Sequence, residues 1–531
     1  MPSLTRRRLL VVGAQGAALV AGGGLLAACG DDSTESAGTT ATAAARRGGT
    51  MTVGMLGNGS SETLNPVLTL TSVDFMRTTA LFDLLWATGP DVASVVPKLA
   101  ASADPSPDAK KWTIHLREDV LWHDGSPLTA DDLVWTLKAW GDPRSTANGS
   151  VAPVIDFSGV RKRGPLSVEV PLKLSVGEFP TLVSVFGFGI IKNGSTPAQL
   201  ATRPIGTGPY KFKSFTAGRQ SVFVANDDYW DGRPPIDTLI VDSTFTDDTA
   251  RVNALLAGNV QVAPRTPYLL ARQNASSSQA RVMKATAPNA YMFSLRVDQP
   301  PFDDVRVRKA IKLIADRPAL IDGALAGYGV PGNDLLGQDA KYFASDLSRE
   351  QDIEQARSLL KAAGREGMSV TLQTSNAAAG LLEAGTLFAQ QAKAAGVNVK
   401  VQKLESSVYY TDAGGWMTRT FGENLNGMAY PSLTSAYLSQ LWTDAPYNDG
   451  HWGSRPGQGD RPLFDAIGAL EEARAQELWN EVQQKQFEEG PYLIWGNADF
   501  VDMVAPDVTG LRPSAAGPLN NYDFSKAGLS A

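Results

Sequence analysis

Side chains able to do covalent or metal chemistry are scarce in this sequence. There is one cysteine, Cys29, and there are three histidines, His115, His123 and His451, far apart along the chain. A structural zinc site draws on four clustered Cys, His or carboxylate ligands, so a Cys/His set is not expected; counting leaves a carboxylate-only calcium site open, and no residue is put forward for one. A lone cysteine also excludes an internal disulfide. Nucleophilic or acid–base catalysis would need a nucleophile beside a base, or a metal constellation. The chain has no Gly-x-Ser-x-Gly elbow, His-Glu-x-x-His pair, P-loop or dinucleotide fingerprint. His123-Asp124 is a tempting dyad, but Gly125-Ser126 after it makes a turn. Arg306 and Arg308 suit a phosphate or carboxylate site less well than a salt-bridged or solvated helix face. Asp131-Asp132 and Asp247-Asp248 are sequence neighbours, which do not face each other on a helix, and they fit helix N-termini, where the dipole favours acids. No catalytic residue, metal or cofactor is expected, and the chain is not read as an enzyme.

Composition narrows the alternatives. Hydrophobic residues make up 43% and charged residues 19% of the 531 residues, as in ordinary soluble proteins, and the length calls for two or three lobes. The formal net charge is −7, and the first 28 residues carry three arginines and no acid, so the remainder is more acidic still. An acidic body lacks the electrostatic footprint for nucleic acid and does not adsorb on an anionic membrane.

The N-terminus reads as an address. Arg6, Arg7 and Arg8 precede a weakly apolar, Gly/Ala-rich run from Leu9 to Ala28, which ends at Leu26-Ala27-Ala28-Cys29. These are the parts of a bacterial export signal over residues 1–28. The paired arginines resemble a twin-arginine signal, and Leu-Ala-Ala-Cys resembles a lipobox whose cysteine, Cys29, becomes lipidated. A permanent membrane helix is the alternative; Gln15, several glycines and the position of the cysteine favour the signal. Residues 29–47, without aromatics or large aliphatics, read as a flexible tether.

Beyond the tether, strands alternate with helices, which indicates an α/β architecture. Strands are expected over 50–56, 112–117, 210–215, 220–225, 236–242, 290–296, 369–374, 397–402 and 492–495. Helices are expected over 72–86, 129–140, 247–257, 304–315, 351–363, 381–394 and, mostly, 464–489. Thr129 and Asp132 have capping-box spacing.

Several segments, in order, resemble the large peptide-type ABC solute-binding proteins, the group with oligopeptide-, dipeptide- and nickel-binding members. They are Leu64-Asn65-Pro66, Val96-Pro97-Lys98-Leu99-Ala100, Lys111 to Arg117, Val120 to Asp132, Gly206-Thr207-Gly208-Pro209-Tyr210, Asn226 to Trp230 and Pro301 to Ile311. The resemblance implies a two-lobed periplasmic-binding-protein-like fold of class II, with a hinge cleft and an extra subdomain on the first lobe. Lobe I would comprise 48–95, 204–289 and 490–531, the extra subdomain 96–203, and lobe II 290–489. It further implies capture of a peptide or similar ligand, delivery to ABC permease subunits served by a separate ATPase, and a monomer on the extracytoplasmic face, periplasmic or cell-surface, held to the membrane by the Cys29 lipid. Trp112, Trp122 and Trp230 read as packing anchors.

By matched position the ligand-binding candidates are Thr71, Ser72, Val73, Trp416, Arg419, Asn426, Tyr430, Leu493 and Trp495. Peptide-binding members carry an aspartate, in a segment like Gly-Trp-x-Ala-Asp-Tyr, that pairs with the ligand α-ammonium. Here Asn426-Gly427-Met428-Ala429-Tyr430-Pro431-Ser432 places Gly427 where the Trp would be and Tyr430 where the Asp would be. Either the ligand lacks a free amino terminus, or another acid, among Asp74, Glu423 and Asp444, replaces the aspartate. Trp416 would stack on a ring, and Arg419 would hold a carboxylate. An oligosaccharide, an opine-like molecule or a metal chelate is the alternative to a peptide.

Overall fold

The computed structural model describes residues 47–530 apart from 70, 186, 412–413, 427–429 and 454–460. The export signal, Cys29 and nearly all of the tether therefore lie outside the described residues.

A mixed sheet of eleven strands forms the backbone of the molecule. At one end Ser369–Ser375 and Asn398–Leu404 run parallel, joined by the helix Leu381–Ala392, the kind of crossover that parallel neighbours need. At the other end Thr50–Leu56 runs parallel to Thr238–Phe245, which continues antiparallel into Gln220–Ala225 and Tyr210–Thr216. Two long antiparallel strands join the ends: Arg281–Leu295 and Tyr492–Val504. Their pairing shifts register between Ala285 and Asn289, a bulge that bends and twists a ribbon locally. A separate antiparallel sheet has the order Ala100–Pro105, Lys111–Leu116, Ser167–Pro171, Arg161–Gly164. The helix Ala130–Trp140 begins at the Thr129–Asp132 capping box. Trp112 and Trp122 are buried, with indole Nε1 donating to Val176 O at 3.0 Å and Asp132 Oδ2 at 3.3 Å.

Three large apolar clusters hold these layers. One packs Met51, Val53, Met76, Leu81, Phe223 and Leu239. A second packs Phe293, Ile311, Ile314, Phe388, Phe421 and Trp495. The third runs without a break from Trp112, Trp140 and Phe188 to Leu433, Tyr437, Trp479 and Tyr492.

Several elements depart from expectation. The helix expected over 72–86 ends at Leu81, and Trp86 lies in the strand Trp86–Thr88. Asp83 terminates it: buried, it accepts hydrogen bonds from Thr207 Oγ1 at 2.9 Å, Tyr229 OH at 2.9 Å and Trp230 Nε1 at 3.0 Å. Apolar periodicity alone carries no trace of these distant partners. The helix expected over 464–489 is two, Arg461–Gly468 and Glu472–Glu489. The second starts afresh because Glu471 accepts from the backbone N–H groups of Ala473 and Arg474. Arg306 is an exposed partner of Asp304, as a helix-face residue should be. Arg308 is instead buried, and its guanidinium donates to the carbonyls of Glu489 and Phe302.

The Gly206-Thr207-Gly208 segment lies against the C-terminal end of the helix Ser72–Leu81. Gly208 N donates to Leu81 O at 3.0 Å, and a Cβ on Gly206 would fall 1.7 Å from that same oxygen. Gly206→Ala is therefore expected to destabilise the fold by about 1–3 kcal/mol, the usual cost of overpacking a filled interior. A urea titration reads this as a lowered midpoint; an unchanged midpoint would mean the two segments move apart freely.

Candidate functional site

Between the third cluster and the strand Phe421–Leu425 lies a cavity of about 260 Å3, just below the roughly 300–1,000 Å3 of small-molecule sites. One wall starts from that strand. Its alternation places Asn424 on the face that bears Met292 and Tyr492, and Glu423 on the opposite face with Phe293 and Leu493. Asn424 Nδ2 donates to Asp449 Oδ2 at 3.0 Å. The same carboxyl accepts from Ser294 Oγ at 2.7 Å and, through Oδ1, from Tyr492 OH at 2.9 Å. Asn424 is thus held rigidly from behind. Asn426 follows, its N–H bound to Ala290 O at 2.8 Å.

Ser432 caps the next helix, Leu433–Gln440, by accepting from Ser435 N at 3.1 Å. Ser435, Leu438 and Ser439 recur at i, i+3 and i+4 and so share the helix face that lines the cavity, with Gln440 at its end. Tyr430 lines it too, its hydroxyl beside Ser439 and Gln440; burial pushes the phenol pKa up, so it stays neutral. The facing wall comes from distant sequence: Phe75, the Thr146–Ser150 segment, and Leu182, Val185 and Phe188. Trp416 and Tyr447 complete the lining as a stacked pair, ring centroids 5.7 Å apart at 24°.

Three buried polar atoms of this lining have no hydrogen-bond partner among the described residues: Trp416 Nε1, Asn426 Nδ2 and Gln440 Oε1. Buried polar groups are nearly always paired, so these two donors and one acceptor are the unmet hydrogen-bonding groups of the lining residues.

Of the residues singled out by sequence, the structure brings together Trp416, Asn426 and Tyr430. It does not bring the others to this cavity. Thr71 Oγ1 donates to Asp74 Oδ2 at 2.8 Å, Ser72 Oγ lies 3.5 Å from Arg265 Nη1, and Val73 is core; only Phe75, one turn further, reaches the lining. Leu493 and Trp495 are fully buried in the second cluster, on the strand face away from the cavity. Tyr492 is the aromatic of that strand on the near side, since a shift of one residue exchanges faces. Arg419 lies over the Tyr409 ring, 3.8 Å from its centroid, and donates to the carbonyls of Tyr409 and Gly414; it lines a different cavity, beside Gln373 and Gln402.

The three acids considered as substitutes for the missing aspartate are also elsewhere. Asp74 is occupied by Thr63 N at 3.0 Å, Thr71 and Arg77. Glu423 points to the far face, accepts from Thr374 Oγ1 at 2.6 Å, and has its pKa pushed well up by burial. Asp444 is exposed. Sequence reading missed Asn424, Gln440, Phe75, Phe188 and Tyr447. The alternation Asn424-Leu425-Asn426 and the Ser435/Ser439 spacing were the signals present for one wall; the facing wall left none. His123 and Asp124 form no dyad: His123 bridges Gly206 N and Gly208 O, while Asp124 pairs with Lys192 and Ser126.

The family model of bacterial extracellular solute-binding proteins, family 5 Middle, matches residues 94–455. The dipeptide-binding protein of Escherichia coli K12 is 25% identical over 507 residues, covering 89% of this chain and 93% of that protein. Among solved structures, the ABC transporter substrate-binding protein CtaP of Listeria monocytogenes superposes with a TM-score of 0.78 at 22% identity, over 92% of this chain and all of that one. The binding protein AgaA of A. tumefacien R10, in complex with agropinic acid, superposes with a TM-score of 0.74 at 21% identity, over 91% of this chain and 99% of that one. At these identities the structural likeness establishes the fold: a two-lobed binding-protein fold of the peptide-binding type.

Proposed function

The chain belongs to the bacterial extracellular solute-binding proteins, family 5, the substrate-binding components of ABC importers rather than enzymes, and from that premise we propose that it captures a peptide or peptide-like small molecule between two lobes and hands it to a membrane permease. The cavity carries this reading. Its two walls come from residues 75–188 and 416–447, so a ligand between them bridges parts of the chain that the division into lobes and extra subdomain keeps apart. The register shift at Ala285 and Asn289, in the two long strands, lies where a hinge would bend. Transport energy comes from the importer's separate ATPase.

The test is a thermal-shift screen of the purified protein against di- to pentapeptides, opine-like acids, metal chelates and oligosaccharides. A ligand at a hundred times its Kd adds about 2.7 kcal/mol to stability. Silence across the whole screen would remove solute capture as the function. The likeness to AgaA in its complex with agropinic acid supports a second reading, in which the solute is not a peptide.

The protein works as a monomer on the extracytoplasmic face, anchored through lipid on Cys29 after removal of residues 1–28. Stable anchoring needs more than one acyl chain, which a lipobox cysteine supplies. Cys29→Ala is expected to move the protein from the membrane fraction to the soluble fraction in cell fractionation. Persistence of the variant in the membrane would mean that the apolar run itself is the anchor.

A further inference from the structure

The lining of the cavity is polar without being charged. It holds hydroxyls, amides, two tyrosines and a tryptophan, and none of the described lining residues carries an ionised side chain. The carboxyls nearest to it serve other ends. Asp449 stands behind Asn424, with both oxygens taken by Asn424, Ser294 and Tyr492. Glu423 points to the opposite strand face. Among the described residues no cation lines the cavity either; Arg419 donates to the backbone carbonyls of Tyr409 and Gly414 and lines a different cavity.

A zwitterionic peptide placed here would bury an ammonium without an acid and a carboxylate without a base. An isolated buried ion costs several kcal/mol after all relaxation, far more than a neutral amide or hydroxyl that finds a partner. What the lining leaves unpaired is instead a neutral set: the Trp416 and Asn426 N–H groups, which seek acceptors, and the Gln440 oxygen, which seeks a donor. Beside them the Trp416–Tyr447 stack offers an aromatic face for a ring or an apolar ligand edge.

We infer that the cleft selects an uncharged ligand, bearing both hydrogen-bond acceptors and donors beside a flat or apolar face, and rejects molecules with a free ammonium or carboxylate. The inference rests on solute capture in this cavity. Two sources share the chemistry: small glycosides, and peptides whose termini are blocked or joined. The cavity volume of about 260 Å3 confines either to about the size of a disaccharide or a dipeptide.

Calorimetry on matched pairs tests it. The panel contains dipeptides with free termini, the same dipeptides N-acetylated and C-amidated, cyclic dipeptides, and neutral disaccharides beside their uronic-acid counterparts. The expected result is that each uncharged member that binds does so at least tenfold more tightly than its charged partner; which arm responds tells blocked peptide from glycoside. Charged partners binding equally or better would overturn the inference and leave solute capture standing. If no uncharged member binds, the inference also falls; if the charged members are silent as well, solute capture falls with it. Tyr430→Asp, which places a carboxylate at the lining, is expected to lower affinity for the responding neutral ligand at least tenfold, with the circular dichroism spectrum of the folded protein retained. Equal affinity in Tyr430→Asp would show that ligands do not reach this wall.

Discussion

Trp416→Ala is expected to weaken ligand binding by about thirtyfold, while the melting temperature of the ligand-free protein shifts by only a few degrees. Trp416 is half-buried, stacks on the exposed Tyr447, and meets Tyr410 edge-on at 5.4 Å. Its loss therefore removes little of the hydrophobic core, in which it takes no part. Its Nε1 has no partner among the described residues, so the ligand is what would satisfy it. Truncating a large aromatic anchor at the centre of a contact commonly costs about 2 kcal/mol or more, which is the thirtyfold loss. Tyr430→Ala is expected to act in the same direction, because it removes both ring and hydroxyl from the lining. Calorimetry with the ligand found by the screen reads both variants. Unchanged affinity in both would place the ligand outside this cavity; a large fall in the melting temperature without ligand would make the residues structural.

Asp334→Ala is expected to cost about 3–5 kcal/mol of stability, the penalty for stranding buried charges by removing their partner. Asp334 is fully buried and accepts from Arg317 Nη2 at 2.8 Å, Arg349 Nε at 2.7 Å and Ile494 N at 3.1 Å. Its loss leaves two buried guanidiniums and the start of the strand Tyr492–Val504 without their common acceptor. Lys312 adds to the buried charge: it is buried, its Nζ has no partner among the described residues, and burial pushes its pKa down to about 7, with the nearby arginines pushing the same way and Asp334 opposing.

The sign of the pH dependence follows. Between about pH 7 and the ordinary lysine value of 10.5 the unfolded chain binds the proton on this lysine more firmly than the folded one. The lysine thus opposes folding at neutral pH, and stability rises as pH climbs through that window. Lys312→Met should remove this part of the pH slope and raise stability at pH 7. Chemical denaturation at pH 7 and 9 measures both effects. An Asp334→Ala midpoint equal to wild type would mean that water or relaxation compensates the arginines.

Elements whose stabilising contacts are local were legible from sequence. The helix Val305–Ile314 lies within the expected 304–315, since its apolar stripe and its Asp304 cap are local. The parallel strands after Ser369 and near Val397 likewise follow from short apolar runs between helices. The two long strands were legible only in part, as 290–296 and 492–495. Their remaining halves carry Pro288, Asn289, Asn497, Asp499 and Asp502, residues that argue against a strand. Partners far away hold two of them there: Asp502 accepts from Arg265 N and Leu519 N, and Asn497 donates to Gln338, while the long ladder between the two strands carries the rest.

The sequence by itself determined the α/β class, the absence of the usual catalytic motifs, the order of the family's segments, and the replacement of an expected aspartate by Tyr430. Only the tertiary structure decided which polar residues share a cavity. Asn424, Gln440 and Phe188 come together across more than two hundred residues of chain, and Leu493 and Trp495 lose the site to core because strand phase, a matter of one residue, is set by pairing with Arg281–Leu295. Periodicity is local and names faces; which face meets which is fixed by burial summed over the whole chain.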